Sequence, residues 1–233
     1  MSAPETSAAV ASVIPRSLIR ADAATMHFDR YPQYEAGMRW VDEWVTQPHP
    51  DLGRPGAVCP QLAPAIRAQT VWLVALTVAG YTPAHAVGAG TVLMEVFDDL
   101  AAGPDRSSTA LLGFFPELPD EHAATLIDGG HRELRTAFVE RGLMLGEFHA
   151  RSTVGGVHNR ALRVMRCPAP MFAVRVMTPH DVVFADQPAL TPAERVAFLR
   201  ACERHIGARL NPTTRADLGA RLQTAHEALP GRR

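Results

Sequence analysis

The run Gly142-Leu143-Met144-Leu145-Gly146-Glu147-Phe148-His149 decides how the rest of the chain is read. Bounded by Gly142 and by the Gly155-Gly156 turn, it has the length of a strand. Successive side chains of a strand point to opposite faces. Leu145, Glu147 and His149 therefore share one face, while Met144, Gly146 and Phe148 share the other. A carboxylate and an imidazole two residues apart on one face make a compact acid–base pair. Gly146 would let another chain or a flat ligand come close.

Downstream, Met171 to Met177 is again strand-like, largely apolar and stopped by Thr178-Pro179. Thr191-Pro192-Ala193-Glu194 is a capping box with proline at the first helical position, which predicts a helix to about Leu210. Asn211-Pro212 breaks it, and a second helix is predicted from Thr214 to Leu229. Upstream, Pro119-Asp120-Glu121 opens a long helix to about Glu140, bent near Gly129-Gly130, and Leu111 to Phe115 is a short strand ended by Pro116. Thr91 to Ala101 reads as a helix with Leu93, Val96, Phe97 and Leu100 on one side and Glu95, Asp98 and Asp99 on the other, ordinarily a solvated face. Thr70 to Gly80 fits a buried helix and a buried strand equally well. Tyr34, Met38, Val41 and Val45 predict an amphipathic helix over 33–46, in which core packing is the simpler role for Trp40 and Trp44. Residues 1–24, rich in Ala, Ser, Thr and Pro, predict an unstructured tail. Together these elements predict one α+β domain over 25–233: a small mixed sheet packed by helices, with two C-terminal helices over one face.

Composition narrows the function. The 233 residues are 47% hydrophobic and 20% charged, an ordinary balance for a globular chain with a sizeable core. A net charge of −1 gives no field for nucleic acid and no polybasic run for a membrane surface. Every basic side chain is Arg, which excludes Schiff-base chemistry on a lysine. Cys59, Cys167 and Cys202 are too few and too scattered for a disulfide framework or a four-cysteine zinc site. The N-terminus lacks a basic and apolar leader, and the longest apolar run, Val71 to Gly80, is about half a bilayer span. The expectation is a cytoplasmic protein with reduced thiols.

The second informative stretch is Pro48-His49-Pro50-Asp51-Leu52-Gly53-Arg54-Pro55-Gly56-Ala57-Val58-Cys59-Pro60-Gln61. Its prolines and glycines exclude a regular helix or central strand and predict a stiff loop presenting one sulfur. A helix expected from Gln61 would place Cys59 near its positive end, which favours thiolate. Cys59 then admits three roles: a small buried hydrophobe, a nucleophile with His149 as base, or an axial ligand of heme iron. Cys167-Pro168 repeats the dipeptide but precedes a strand, and Cys202 belongs in a helix core.

Arg54-Pro55-Gly56-Ala57-Val58-Cys59-Pro60-Gln61-Leu62-Ala63 resembles the proximal loop of chloroperoxidase and fungal peroxygenase heme-thiolate enzymes, with Val58 where those carry proline. Most of the chain is also similar to a family of small, largely uncharacterised actinobacterial proteins of secondary-metabolite pathways. The marks are His49 to Arg54 with Val58-Cys59-Pro60, Gly142 to His149, and the segment from His158-Asn159 to Pro170-Met171. That family is identified as including the heme-dependent L-arginine N-hydroxylase of D-cycloserine biosynthesis. The resemblance implies heme b and oxidation of a guanidine nitrogen, giving Nω-hydroxyarginine, with an electron-donor protein as a possible partner. Under it, Cys59 is the axial ligand with His149 as the alternative, Arg54 and Arg163 pair with heme propionates, and Glu147 anchors the guanidinium, with Glu95, Asp98 or Asp99 in reserve. His149, if not the ligand, delivers protons. The competing expectations are a cofactor-free binding or accessory protein and a cysteine-nucleophile transferase or hydrolase.

Overall fold

The computed structural model describes residues 14–229; residues 1–13 and 230–233 lie outside the described residues. Part of the expected tail is corrected. Ile14–Arg20 is a strand, β1, and Ala21–His27 a 3-10 helix, while the rest of that expectation falls on residues outside the described ones. β1 is completed by antiparallel pairing with a distant strand and carries an irregularity between Arg16 and Ile19, so its own seven residues hold little period-two signal.

The remaining elements follow the sequence, except that the helix expected from Thr91 begins at Pro83. Helix α1 (Pro32–Trp40) starts on a proline and runs into a π-helical turn, Val41–Val45. Then come α2 (Leu62–Arg67), β2 (Val71–Thr77), α3 (Pro83–Leu100) and β3 (Ala110–Phe114). The ambiguous stretch at 70–80 is thus a strand, apolar on both faces because both faces are covered. The long helix after Pro119 is α4 (Asp120–Ala123), a π-helical segment Ala124–Asp128, and α5 (Gly129–Glu140). β4 (Leu143–Phe148), β5 (Met171–Val176), α6 (Pro192–Ile206) and α7 (Pro212–Glu227) complete the chain. The five strands form one mixed sheet, β1-β2-β3-β5-β4, parallel between β2 and β3 and antiparallel between β1 and β2 and between β3 and β5. This is the α+β architecture the sequence predicts, two C-terminal helices included.

The chain divides into two compact units. One takes the chain to Leu134 with Leu145–Arg175, the other Arg135–Met144 with the chain from Val176 onward. In the first unit, one sheet face packs Leu73, Ala75, Leu112, Phe114 and Met171 against Tyr34, Val41, Leu62 and Ala65. Each fully buried large apolar side chain there contributes ~1.5–3 kcal/mol. α1 lies so close that a Cβ at Gly37 would run into the Phe114 ring. The opposite face carries α3 and the start of α5: a Cβ at Gly113 would meet Leu93 Cδ2 at 2.7 Å, and one at Gly90 would meet Leu134 at 2.5 Å.

The second unit packs α6 and α7 around Val139, Val182, Phe198, Leu199, Cys202, Ile206 and Leu218. Its capping box forms as predicted: Glu194 N donates to Thr191 Oγ1 at 3.3 Å, and Thr191 N donates to Glu194 Oε2 at 2.8 Å. Arg135 donates to Glu194 Oε1 from Nε and Nη2 at 2.9 and 2.8 Å. Burial pushes the Glu194 carboxyl up, but the Thr191 and Arg135 hydrogen bonds together outweigh it and hold the group below its ordinary value. Among the described residues no helix is long and apolar enough to cross a membrane.

Candidate functional site

Along β4 burial alternates as a two-residue period requires, with Leu143, Leu145 and Glu147 buried. The face holding Glu147 and His149 turns toward the helical segment around Asp128. Glu147 Oε2 lies 3.0 Å from His131 Nε2, and His149 Nε2 lies 3.0 Å from Asp128 Oδ1. Two strand residues two apart span ~6.6 Å and two helix residues three apart rise ~4.5 Å. The steps match closely enough for both pairs to form, as two rungs of one ladder. Asp128 closes the π-helical segment, and such segments concentrate at functional sites.

His149 is the most enclosed member. Its side chain is 1% exposed, its main chain bridges Arg166, and its Nδ1 is buried with no hydrogen-bond partner. A buried polar atom without a partner is uncommon enough to need a reason.

The Cys59 loop is as stiff as expected. Cys59 N donates to Val45 O at 2.9 Å, Val58 N to Gln47 O at 3.0 Å, and Pro48 bridges Ala57. Gly53, at φ +76°, sits where a Cβ would meet His158 Cβ at 2.9 Å, and Asn159 Nδ2 donates to Asp51 O at 2.8 Å. The conspicuous His49–Arg54 and His158-Asn159 stretches thus clamp each other. The free Cys59 thiol is half-buried and, like Trp40, Trp44 and Phe148, packs against the core of the first unit. The helix after it, α2, has only six residues, too short for a strong dipole.

Other expected site residues are engaged elsewhere. Arg54 donates to Pro55 O and Val58 O, bracing its own loop, and Arg163 donates to Thr153 O and Arg160 O. Asp98 is paired with Arg106 at 3.0 Å, while Glu95 and Asp99 are exposed on α3. Cys167 and Cys202 are buried, and burial pushes each thiol up to about 12, so neither supplies a thiolate.

The structure divides the residues that the sequence grouped together. Cys59 and Phe148 both pack against the core of the first unit, whereas Glu147 and His149 pair with His131 and Asp128. Adjacent strand residues face opposite sides of the sheet. Cys59 thus belongs to one packing group, and Glu147 with His149 to the paired rungs. The residues missed from the sequence are Asp128 and His131. Their spacing of three on a helix matched the spacing of two on β4, but only the pairing of the two elements reveals it.

Among the described residues no group of three or more His, Cys, Asp and Glu is placed to hold a metal ion. A heme asks for less, since the porphyrin supplies the equatorial nitrogens and one protein ligand suffices. His149 fits that need in its donor chemistry: an enclosed imidazole with a carboxylate on one nitrogen and nothing on the other. A cavity of about 160 Å³ in the second unit, lined by Glu140, Val196, Arg200 and Arg204 among others, involves none of these residues.

Fold and site define an α+β protein with two carboxylate–imidazole pairs across a strand and a helix, each with one buried member. The chain belongs to the family described as a domain of unknown function, DUF6875, whose model matches residues 34–212 and so spans the Cys59 loop and the ladder alike. No curated protein and no solved structure matches it.

Proposed function

We propose that the protein is a cytoplasmic heme-dependent oxygenase that N-hydroxylates a small guanidine-bearing amino acid, with L-arginine to Nω-hydroxyarginine, as in D-cycloserine-type biosynthesis, the reaction the sequence resemblance implies. In this proposal His149, and not Cys59, would hold the heme iron. One observation carries it: His149 is buried, has Asp128 on Nε2, and has an Nδ1 with no protein partner. Ligating imidazoles are characteristically backed by a carboxylate in this way.

Heme supplies the iron at which dioxygen or peroxide is activated. With dioxygen the balance takes two electrons and two protons and releases one water, so an electron-donor protein is implied; hydrogen peroxide needs none. The chain's own contribution is positioning. Glu147, 8% exposed, is occupied by His131 until a cationic guest arrives. A guanidinium offers a planar fork of donors that an imidazole cannot match, and it takes the carboxylate bidentately.

The test is a visible spectrum of protein from heme-supplied cells, joined to mass spectrometry of arginine incubations. A Soret band lost in His149→Ala and kept in Cys59→Ala is expected. A strongly red-shifted ferrous–CO band, lost in Cys59→Ala, would return the ligand to the thiol. A preparation that stays colourless after heme addition removes the oxygenase. The Asp128–His149 pair would then favour acid–base catalysis without a redox cofactor, read as colourless activity lost in His149→Gln.

A further inference from the structure

We infer that Asp128 sets the tautomer of His149, holding its proton on Nε2 and leaving the Nδ1 lone pair as the atom offered to a ligand. A carboxylate only accepts hydrogen bonds, so at 3.0 Å from Asp128 Oδ1 the Nε2 atom must be the donor. The other tautomer would set a nitrogen lone pair against the carboxylate and enclose an N–H at Nδ1 with nothing to accept it. The carboxylate is the more solvated partner, its side chain 24% exposed against 1% for His149. Glu147, the nearest other carboxylate on the strand, has Oε2 taken by His131, so the second rung keeps it from competing for His149. Asp128 is thus a positioning residue acting through the imidazole. That the ligand is heme iron rests on the proposed function; the tautomer does not.

Heme-free protein labelled with ¹⁵N at histidine, with His149→Gln to identify the resonances, shows the tautomer directly in long-range ¹H–¹⁵N correlations. The expected pattern is a pyridine-type Nδ1 and a pyrrole-type Nε2, shifted toward the opposite pattern in Asp128→Asn. A pyrrole-type Nδ1 in the unsubstituted protein overturns the inference, and so does a pattern unchanged by Asp128→Asn. If that variant does not fold, the unsubstituted protein still decides. Heme titration followed at the Soret band should then show affinity about 10- to 100-fold weaker in Asp128→Asn, the usual loss for an outer partner of a ligand. Unchanged affinity in a variant whose tautomer has shifted overturns Nδ1 as the ligating atom. A protein with the expected tautomer and no heme uptake leaves the inference standing and removes heme alone.

Discussion

Replacing Gly130 by alanine tests how closely α5 must lie on α3 for the ladder to form. A Cβ at Gly130 falls well inside contact distance of Ala86 Cβ, with Ala86 Cα at 3.6 Å and Phe172 Cζ at 3.3 Å. Ala86 and Phe172 are both 0% exposed, so neither can yield, and α5 has to move outward. Overpacking of this kind costs ~1–3 kcal/mol, against a helix-propensity gain of ~1 kcal/mol for alanine over glycine. The net expectation is a loss of ~1 kcal/mol in the first unit. Gly219 on α7 is the control, since a Cβ there meets nothing within 4 Å. Gly219→Ala should gain ~0.5–1 kcal/mol in the second unit. Urea unfolding, with each variant compared to the transition of its own unit, reads both. If Gly130→Ala is stabilised as much as Gly219→Ala, the close approach of the two helices is not what places Asp128 and His131.

Three further outcomes are expected. Glu194 is held below its ordinary carboxyl value, so its stabilisation is complete above about pH 4 and is lost as pH falls through the lowered value. Urea midpoints of Glu194→Gln across that range should show a weaker fall on acidification than the unsubstituted protein, and an identical fall would move the acid sensitivity elsewhere. Iodoacetamide labelling followed by mass spectrometry should modify half-buried Cys59 well before Cys167 and Cys202, whose thiols are pushed up to about 12 by burial. Arg54→Gln should leave heme uptake unchanged while loosening the Cys59 loop, because its guanidinium is engaged with Pro55 O and Val58 O; a heme affinity lowered by that change would return Arg54 to the propionates.

Much of the fold was legible because its elements announce themselves locally. The alternation of β4, the Thr191–Glu194 box and the proline-stiffened Cys59 loop each depend on residues within a few positions of one another. β1 did not, because a strand made by pairing with the distant β2 needs no periodic signature of its own. The candidate site was half legible. Glu147 and His149 share a face by strand geometry alone, but their partners belong to another element, and the sequence holds no record of which helix lies over which strand. For the same reason Cys59 could not be separated from them: a loop has no periodicity from which to tell the packing group it joins.

The π-helical segment Ala124–Asp128 makes the helix over β4 a device of phase as well as of length. A single residue removed from it, such as exposed Thr125, would restore an ordinary helix and rotate everything beyond by about 100°. Ala123 would keep its side of the helix only if His131 gave up Glu147. A change of length in this one turn is therefore incompatible with keeping both rungs.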